Sequence, residues 1–451
     1  MFSIGQIIHQ FKQQWTRQLD DVAIEAACRG AGMTWRKRLL TPVEVVKLFL
    51  LQILCGNTAC DHLPRLANRR FSGEAYCIAR GRLALTALQS LLSTATQSML
   101  AATQGSGLWR GHRLWLVDGT GFSMPDTDEL RNHFGQPGGQ AVGCGFPVAH
   151  CLALVHAASG LIQKFVVAPL RTHDMSLVTT LLANFSFGDV VAGDRGFSSY
   201  AHLALLWQRG VLGLFRAHQK LRVDFTPGRA HVKPGVHRTR GQRGLPYSRW
   251  VKQLGDLDQL VEWFRPKDRP SWMTPEQYAA LPESLLVREL RYTIKRRGFR
   301  VREVTLVTTL LDPQRYPATE LAQLYLRRWR IETNFGHLKT TLGMDVLHCK
   351  TVAGVQKEAT MFVLVYNLVR MVMREAAQRQ QVDVERISFI DTLRWLTTTP
   401  PDVPLPPLII NPDRFGRFEP RVRKRRPKQY PVMKRPRAEL RKALEINQLD
   451  A

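Results

Sequence analysis

YLRRWRIETNFGHLK, residues 325–339, places an acid, several bases and a phenol at helical spacing inside an apolar-striped segment. At 3.6 residues per turn, Tyr325, Arg328, Glu332 and Lys339 fall within a sector of about 60° on one side of a helix. Leu324, Ile331, Phe335, Leu338 and Leu342 form the neighbouring stripe, which is expected to face a core. The spacing predicts one helix that carries both an anchor and a polar working face. The same spacing also suits a solvated charged face held by i,i+4 pairs such as Arg328 with Glu332, so the rest of the chain has to decide.

Upstream, EVTLVTTLLD at 303–312 reads as a buried strand, and Pro317-Ala318-Thr319-Glu320 opens the helix that follows. Residues 106–216 hold short β-type runs followed by alternating helix and strand, the signature of an α/β layer. RLWLVDGTGFSM ends an apolar run at Asp118 and is expected to turn at Gly119, and GDVVAGDRGF breaks after a short buried strand at Asp194. In open α/β sheets functional groups lie outside strand ends, where both aspartates are expected. Residues 217–302 depart from this rhythm, with Arg-, Lys-, Pro- and Gly-rich sequence and then short β-like pieces, and read as a β-rich insertion. The core is expected to resume over 303–380.

Residues 1–105 read as an independent helical module, with Thr41-Pro42-Val43-Glu44 as a capping box ahead of VVKLFLLQIL. Its arginines, Arg29 to Arg82, suit phosphate contacts. Residues 381–451 form a C-terminal region whose tail from Arg414 is basic and Pro-rich, an extended arm by composition.

The 64 basic and 37 acidic side chains give a formal charge of +27 and a pI near 10.4, which points to a polyanionic partner, foremost nucleic acid. The apolar runs at 43–55 and 361–373 are interrupted by polar residues and fall short of the roughly 20 residues of a membrane span. With no signal-peptide pattern at 1–15, the protein is expected in the cytoplasm, with the nucleoid. Seven cysteines without a C-x-x-C pair argue against a disulfide framework or a structural zinc site. Cys55, Cys60 and His62 lie close in sequence but lack a second ligand pair.

Asp118, Asp194 and Glu332 together suit a two-metal site. Two hard divalent cations about 3.5–4 Å apart activate water or a 3′-hydroxyl and stabilise the leaving oxygen at phosphorus, and magnesium favours a few carboxylates plus substrate phosphates. Such chemistry needs no histidine base, so His150, His156 and His173 read as structural.

The spacing Tyr325-x2-Arg328-x3-Glu332-x6-Lys339 matches the YREK signature of the DDE transposases of the insertion-sequence-4 group. VDGT at 117–120 and GDRGF at 193–197 resemble their two aspartate motifs. The resemblance implies an α/β, ribonuclease H-like catalytic core interrupted by a β-rich insertion, with a helical N-terminal DNA-binding domain. It also implies two Mg2+ ions, with Mn2+ as a substitute, held by Asp118, Asp194 and Glu332, and cut-and-paste transposition of double-stranded DNA within a homodimeric synaptic complex. Tyr325, Arg328 and Lys339 would hold phosphates of the transposon end, and Arg423, Lys424, Arg425 and Arg426 would contact DNA from the tail. Members that cut through a hairpin stack a flipped base on tryptophan, for which Trp329, or Trp250, Trp263 or Trp272 in the insertion, are candidates.

A metal-dependent nuclease without strand transfer shares the same residues, and an inactive DNA-binding remnant would be expected to have lost one of them. Counterion release predicts DNA binding that weakens steeply with salt. Truncation after Arg414 is expected to flatten the slope of log K against log salt concentration, measured by fluorescence anisotropy. An unchanged slope would remove the tail from the DNA contacts.

Overall fold

The computed structural model describes residues 19–36, 38–103, 107–138, 141, 143–231, 245–294, 303–399, 404–412 and 434–449. The tail residues Arg423, Lys424, Arg425 and Arg426 lie outside them.

Among the described residues nine strands form one mixed sheet in the order β3-β2-β1-β4-β5-β9-β8-β7-β6. They are β1 (Leu114–Ser123), β2 (Val148–His156), β3 (Ile162–Pro169), β4 (Val190–Gly193), β5 (Leu212–Arg216), β6 (Tyr247–Gly255), β7 (Asp258–Phe264), β8 (Ser284–Thr293) and β9 (Glu303–Thr308). β1, β2 and β3 pair antiparallel, whereas β1, β4 and β5 run parallel. β9 returns antiparallel between β5 and β8. The segment read as an insertion therefore extends the sheet of the core, with β9 as the shared strand.

Among the described residues five α-helices precede the sheet: α1 (Asp21–Gly30), α2 (Pro42–Leu54), α3 (Leu63–Ala67), α4 (Gly73–Arg82) and α5 (Leu85–Ala101). The expected cap of α2 is half present: Thr41 Oγ1 accepts from Glu44 N at 3.3 Å, with Pro42 in the first turn. Within the sheet region lie α6 (Asp128–Phe134), α7 (Asp174–Leu177), α8 (Tyr200–Trp207) and α9 (Pro275–Ala279). α8 makes the crossover that the parallel β4–β5 pair requires. After the sheet come α10 (Ala318–Leu326), α11 (Trp329–Gly336), α12 (Val352–Gln380), α13 (Phe389–Thr398) and α14 (Arg437–Leu449). Among the described residues no helix is long and apolar enough to cross a membrane.

Alternation along the strands sends one set of side chains to each face. Trp115, Val117, Val191, Phe215, Val287 and Val307 pack with α7 and α8 in one cluster. Leu116, Ala192, Leu214, Leu290 and Leu306 face the other way, into a core that also takes α1, α2, α5, α10 and α12. The N-terminal helices thus share a continuous core with the sheet, unlike the independent module the sequence suggested.

The buried polar groups of α12 knit these parts together. Glu358, fully buried, accepts from Asn57 Nδ2 at 2.6 Å and from the backbone amides of His348 and Cys349. Asn367 bonds both backbone groups of Ile162 and donates to Thr96 Oγ1. Arg370, also fully buried, donates to Ser159 O and pairs with Glu385 at 2.6 Å. Gly160 is required opposite it: φ is +73°, and a Cβ there would lie 2.3 Å from the guanidinium.

The last part of the tail, Arg437–Leu449, is helical where an extended arm was expected, while residues 413–433 lie outside the described residues. Arg437, at its start, lies 3.8 Å over the Phe146 ring and donates to Cys144 O at 2.7 Å, so this tail cation is engaged by the body of the protein.

Because breaking a buried pair strands its partner's charge, Arg370→Ala is expected to cost about 3–5 kcal/mol in urea denaturation. Removing Arg29 from its exposed pair with Glu25 should cost about 0–1 kcal/mol. Burial also holds His156, His202 and His337 each down to about 4. The unfolded chain binds more protons than the native one between those values and the ordinary histidine value near 6.5. Stability is therefore expected to rise with pH from about 4 to about 6.5, and a flat melting temperature across that window would contradict the burial of these rings.

Candidate active site

The register of the central strands places the acids. β1 runs on to Ser123 beside β2, but its pairing with β4 stops at Val117–Gly193. Asp118 is thus mid-strand towards β2 and at a strand end towards β4. Gly119 does not turn the chain, as the sequence suggested. It admits a neighbour: a Cβ there would meet Asp174 Oδ1 at 2.6 Å and His150 Cε1 at 3.1 Å, where His150 Nε2 and Asp174 Oδ1 pair at 2.6 Å.

Asp194 follows the last residue of β4 and caps a short 3-10 turn, its Oδ1 accepting from Gly196 N at 2.7 Å. Continuing the pairing of Val117 with Gly193 and Gly193 with Phe215 by one residue sets Asp118, Asp194 and Arg216 in one row. That row lies on the face shared with α10 and α11.

The segment 325–339 is not one continuous helix. α10 ends at Leu326, and the amides of Arg327, Arg328, Arg330 and Ile331 bond three residues back, tightening the chain before α11. After α11, residues His337–Thr341 form a π-helical turn that carries Lys339. The apolar stripe is as expected, with Leu324, Ile331, Phe335, Leu338 and Leu342 all buried. Tyr325 joins them: its ring is buried and not on an open polar face, and burial pushes the phenol above its ordinary value, against the pull of Arg328.

Arg328 is the hub. Its Nη1 donates to Asp118 Oδ2 at 3.1 Å and its Nη2 to Glu332 Oε1 at 3.0 Å, with the side chain 14% exposed. Asp118 is pushed up to about 6: burial is the largest cause, Arg328 opposes it, and Asp194 and Glu332 add to it. Asp194 and Glu332 are therefore both close enough to act on Asp118. Among the described residues, however, no three acidic, imidazole or thiol groups are gathered as tightly as a bound metal requires. The guanidinium stands between Asp118 and Glu332, and Asp194 faces its own turn.

Lys339 pairs with Asp345 at 3.3 Å. Asp345 O in turn accepts from Ser123 N at 3.0 Å, which ties the π-turn to the end of β1. Trp329 is 64% exposed beside Arg328. Trp263 is buried with its indole N–H on Glu289 at 3.0 Å, which marks it as structural, and Trp272 packs against the same core. The indole nitrogen of Trp250 is buried without a partner.

Two further groups reach this face. Arg216 acts electrostatically on Tyr325 and on Tyr292 of β8, whose hydroxyl is buried and unpartnered. The sequence did carry a signal for Arg216, since VLGLFRAH is a third strand ending in a polar residue. Tyr292 had none, because only the fold brings β8 alongside.

Comparison with known proteins identifies the family. Residues 109–368, more than half of the chain, match the family model described as Transposase DDE domain. The chain is 25% identical over 391 residues to the transposase InsG for insertion sequence element IS4 of Escherichia coli (strain K12), covering 81% of this chain and 79% of that protein. It is 22% identical over 419 residues to the transposase for insertion sequence element IS231C of Bacillus thuringiensis subsp. berliner, covering 84% and 85%. A chain of the piggyBac transposase synaptic complex with hairpin DNA superposes over 88% of this chain and 80% of its own, at TM-score 0.45 and 8% identity, too distant for residue-level correspondence. The chain belongs to the Transposase DDE domain family and is an insertion-sequence transposase of the IS4 group, a metal-dependent enzyme that cleaves and transfers DNA.

Proposed function

We propose that this transposase excises and inserts its element by a cut-and-paste route, with Asp118, Asp194 and Glu332 as the ligands of two Mg2+ ions that Mn2+ can replace. The observation that carries the reading is the row Asp118–Asp194–Arg216 at the strand ends, faced by Glu332 from α11. The strand order 3-2-1-4-5, with β2 alone running against the other four, supports a ribonuclease H-like core.

The donor set fits the ions. All three groups are carboxylates, hard oxygen donors of the kind Mg2+ takes together with substrate phosphates. The repulsion that Asp194 and Glu332 exert on Asp118 is what a divalent cation would relieve. When bound, the ions supply charge stabilisation at the attacking and leaving oxygens of an in-line displacement at phosphorus.

The chain's own residues position the strand. Arg328 offers a planar fork suited to a phosphate, as it is to the carboxylates it now holds. Lys339 is carried by the π-turn that follows α11, and Tyr325, braced in the core, lies beside Arg328. Exposed Trp329 presents an indole face on which an unstacked base can lie. The partner is double-stranded DNA at terminal inverted repeats, engaged by a homodimer in a synaptic complex within the cytoplasm, on the nucleoid.

Asp118→Ala, Asp194→Ala and Glu332→Ala are each expected to abolish Mg2+-dependent cleavage of end-containing DNA while leaving binding in gel-shift assays largely intact. Wild-type nicking by Asp118→Ala would overturn the assignment. Joining of the cut end to a second plasmid separates a transposase reaction from cleavage alone. Trp263→Ala should cost about 3–5 kcal/mol of stability, whereas Trp329→Ala should leave the melting temperature unchanged and impair cleavage. A stable Trp329→Ala protein with full activity would exclude that indole from the reaction.

A further inference from the structure

Arg328 does more in this structure than wait for a phosphate. One guanidinium bonds an oxygen of Asp118 and an oxygen of Glu332 at once, from positions 210 and 4 residues away in sequence. It is mostly shielded from water, and together with the Gly119 amide it opposes the upward push of burial and of the neighbouring acids on Asp118. We infer that Arg328 is an internal counter-cation that competes with divalent metal for Asp118 and Glu332, and that a DNA phosphate relieves the competition by drawing the guanidinium away.

This rests on the assignment of Asp118 and Glu332 as metal ligands. A guanidinium can serve the carboxylates or a phosphate with the same fork, but not both in full, because its donors are fixed in one plane. Phosphate recruitment of Arg328 frees carboxylate oxygens, and metal occupancy of those oxygens releases Arg328 to the phosphate. The two ligands therefore help each other, and by linkage the help is equal in both directions. The consequence is a free protein that holds metal weakly and becomes competent when the transposon end is in place. Lys339 differs: its partner is Asp345, outside the three acids, so it supplies affinity for DNA without holding the site closed.

The experiment measures Mn2+ binding to the DNA-free protein by electron paramagnetic resonance or calorimetry at pH 8, where protons do not take the arginine's place. Arg328→Gln is expected to tighten Mn2+ on the order of 5- to 100-fold over wild type, the range of ordinary coupling factors. Lys339→Gln should leave Mn2+ binding unchanged. Addition of end DNA should tighten Mn2+ by a larger factor in wild type than in Arg328→Gln. Thermal denaturation establishes that each variant is folded.

If Arg328→Gln binds Mn2+ no tighter than wild type, while Asp118→Asn still abolishes that binding, the competition is refuted and the metal assignment stands. If Asp118→Asn has no effect on Mn2+ binding, the metal assignment fails and takes the inference with it. If Lys339→Gln tightens Mn2+ as much as Arg328→Gln, the effect is one of general positive charge and the inference is refuted.

Discussion

The site depends on where one ladder stops. β1 pairs with β2 along its whole length but with β4 only as far as Val117–Gly193, so the next residues on both strands lose their shared hydrogen bonds together. Two aspartates stand at that position. Carboxylates tolerated there are half in the core and half in the opening, and Asp118 is accordingly pushed up to about 6 while remaining within reach of a cation. A register shift of one residue would turn Asp118 onto the opposite face, because side chains alternate along a strand. The apolar residues before it prevent such a slip, with Leu116 and Val117 each buried in a different core.

A second constraint holds α11 against that row. α11 is short, and its apolar stripe alone would leave it free to roll. The tightened turn before it and the π-turn after it fix both ends. Buried Tyr325 anchors the first, and the bonds linking Ser123 with Asp345 and Leu347 anchor the second. Behind them α12 spans the core with Glu358, Asn367 and Arg370, each bonded to a different part of the chain. Unpaired, any of these groups would be costly in a medium of low polarity. Paired, they bring the N-terminal helices, the β2–β3 hairpin and the segment near Glu385 to fixed positions around the site.

Much of this was legible in the sequence because local physics wrote it. The period of the apolar stripe predicted which face of 324–342 is buried, since a helix can hide only one side. The short apolar runs ending in Asp118 and Asp194 marked the strands, and the spacing of Tyr325, Arg328, Glu332 and Lys339 marked the family. Gly119 was misread as a turn former, because glycine serves close approach as well as turns and only the presence of Asp174 above it distinguishes the two. The helix 325–339 was read as continuous because a tightening by one hydrogen-bond register leaves no compositional trace.

The sequence by itself determined most of the strand and helix types of the core and the buried stripe, both of which follow from side-chain chemistry over a few neighbouring residues. The tertiary structure alone decided that the inserted strands lengthen the core sheet, that the N-terminal helices share its core, and that Tyr292 reaches the site. It alone decided that Arg328 bridges Asp118 to Glu332. Such facts depend on the pairing of segments up to hundreds of residues apart, and long-range pairing is set by the packing of the whole chain, which no local pattern of residues encodes.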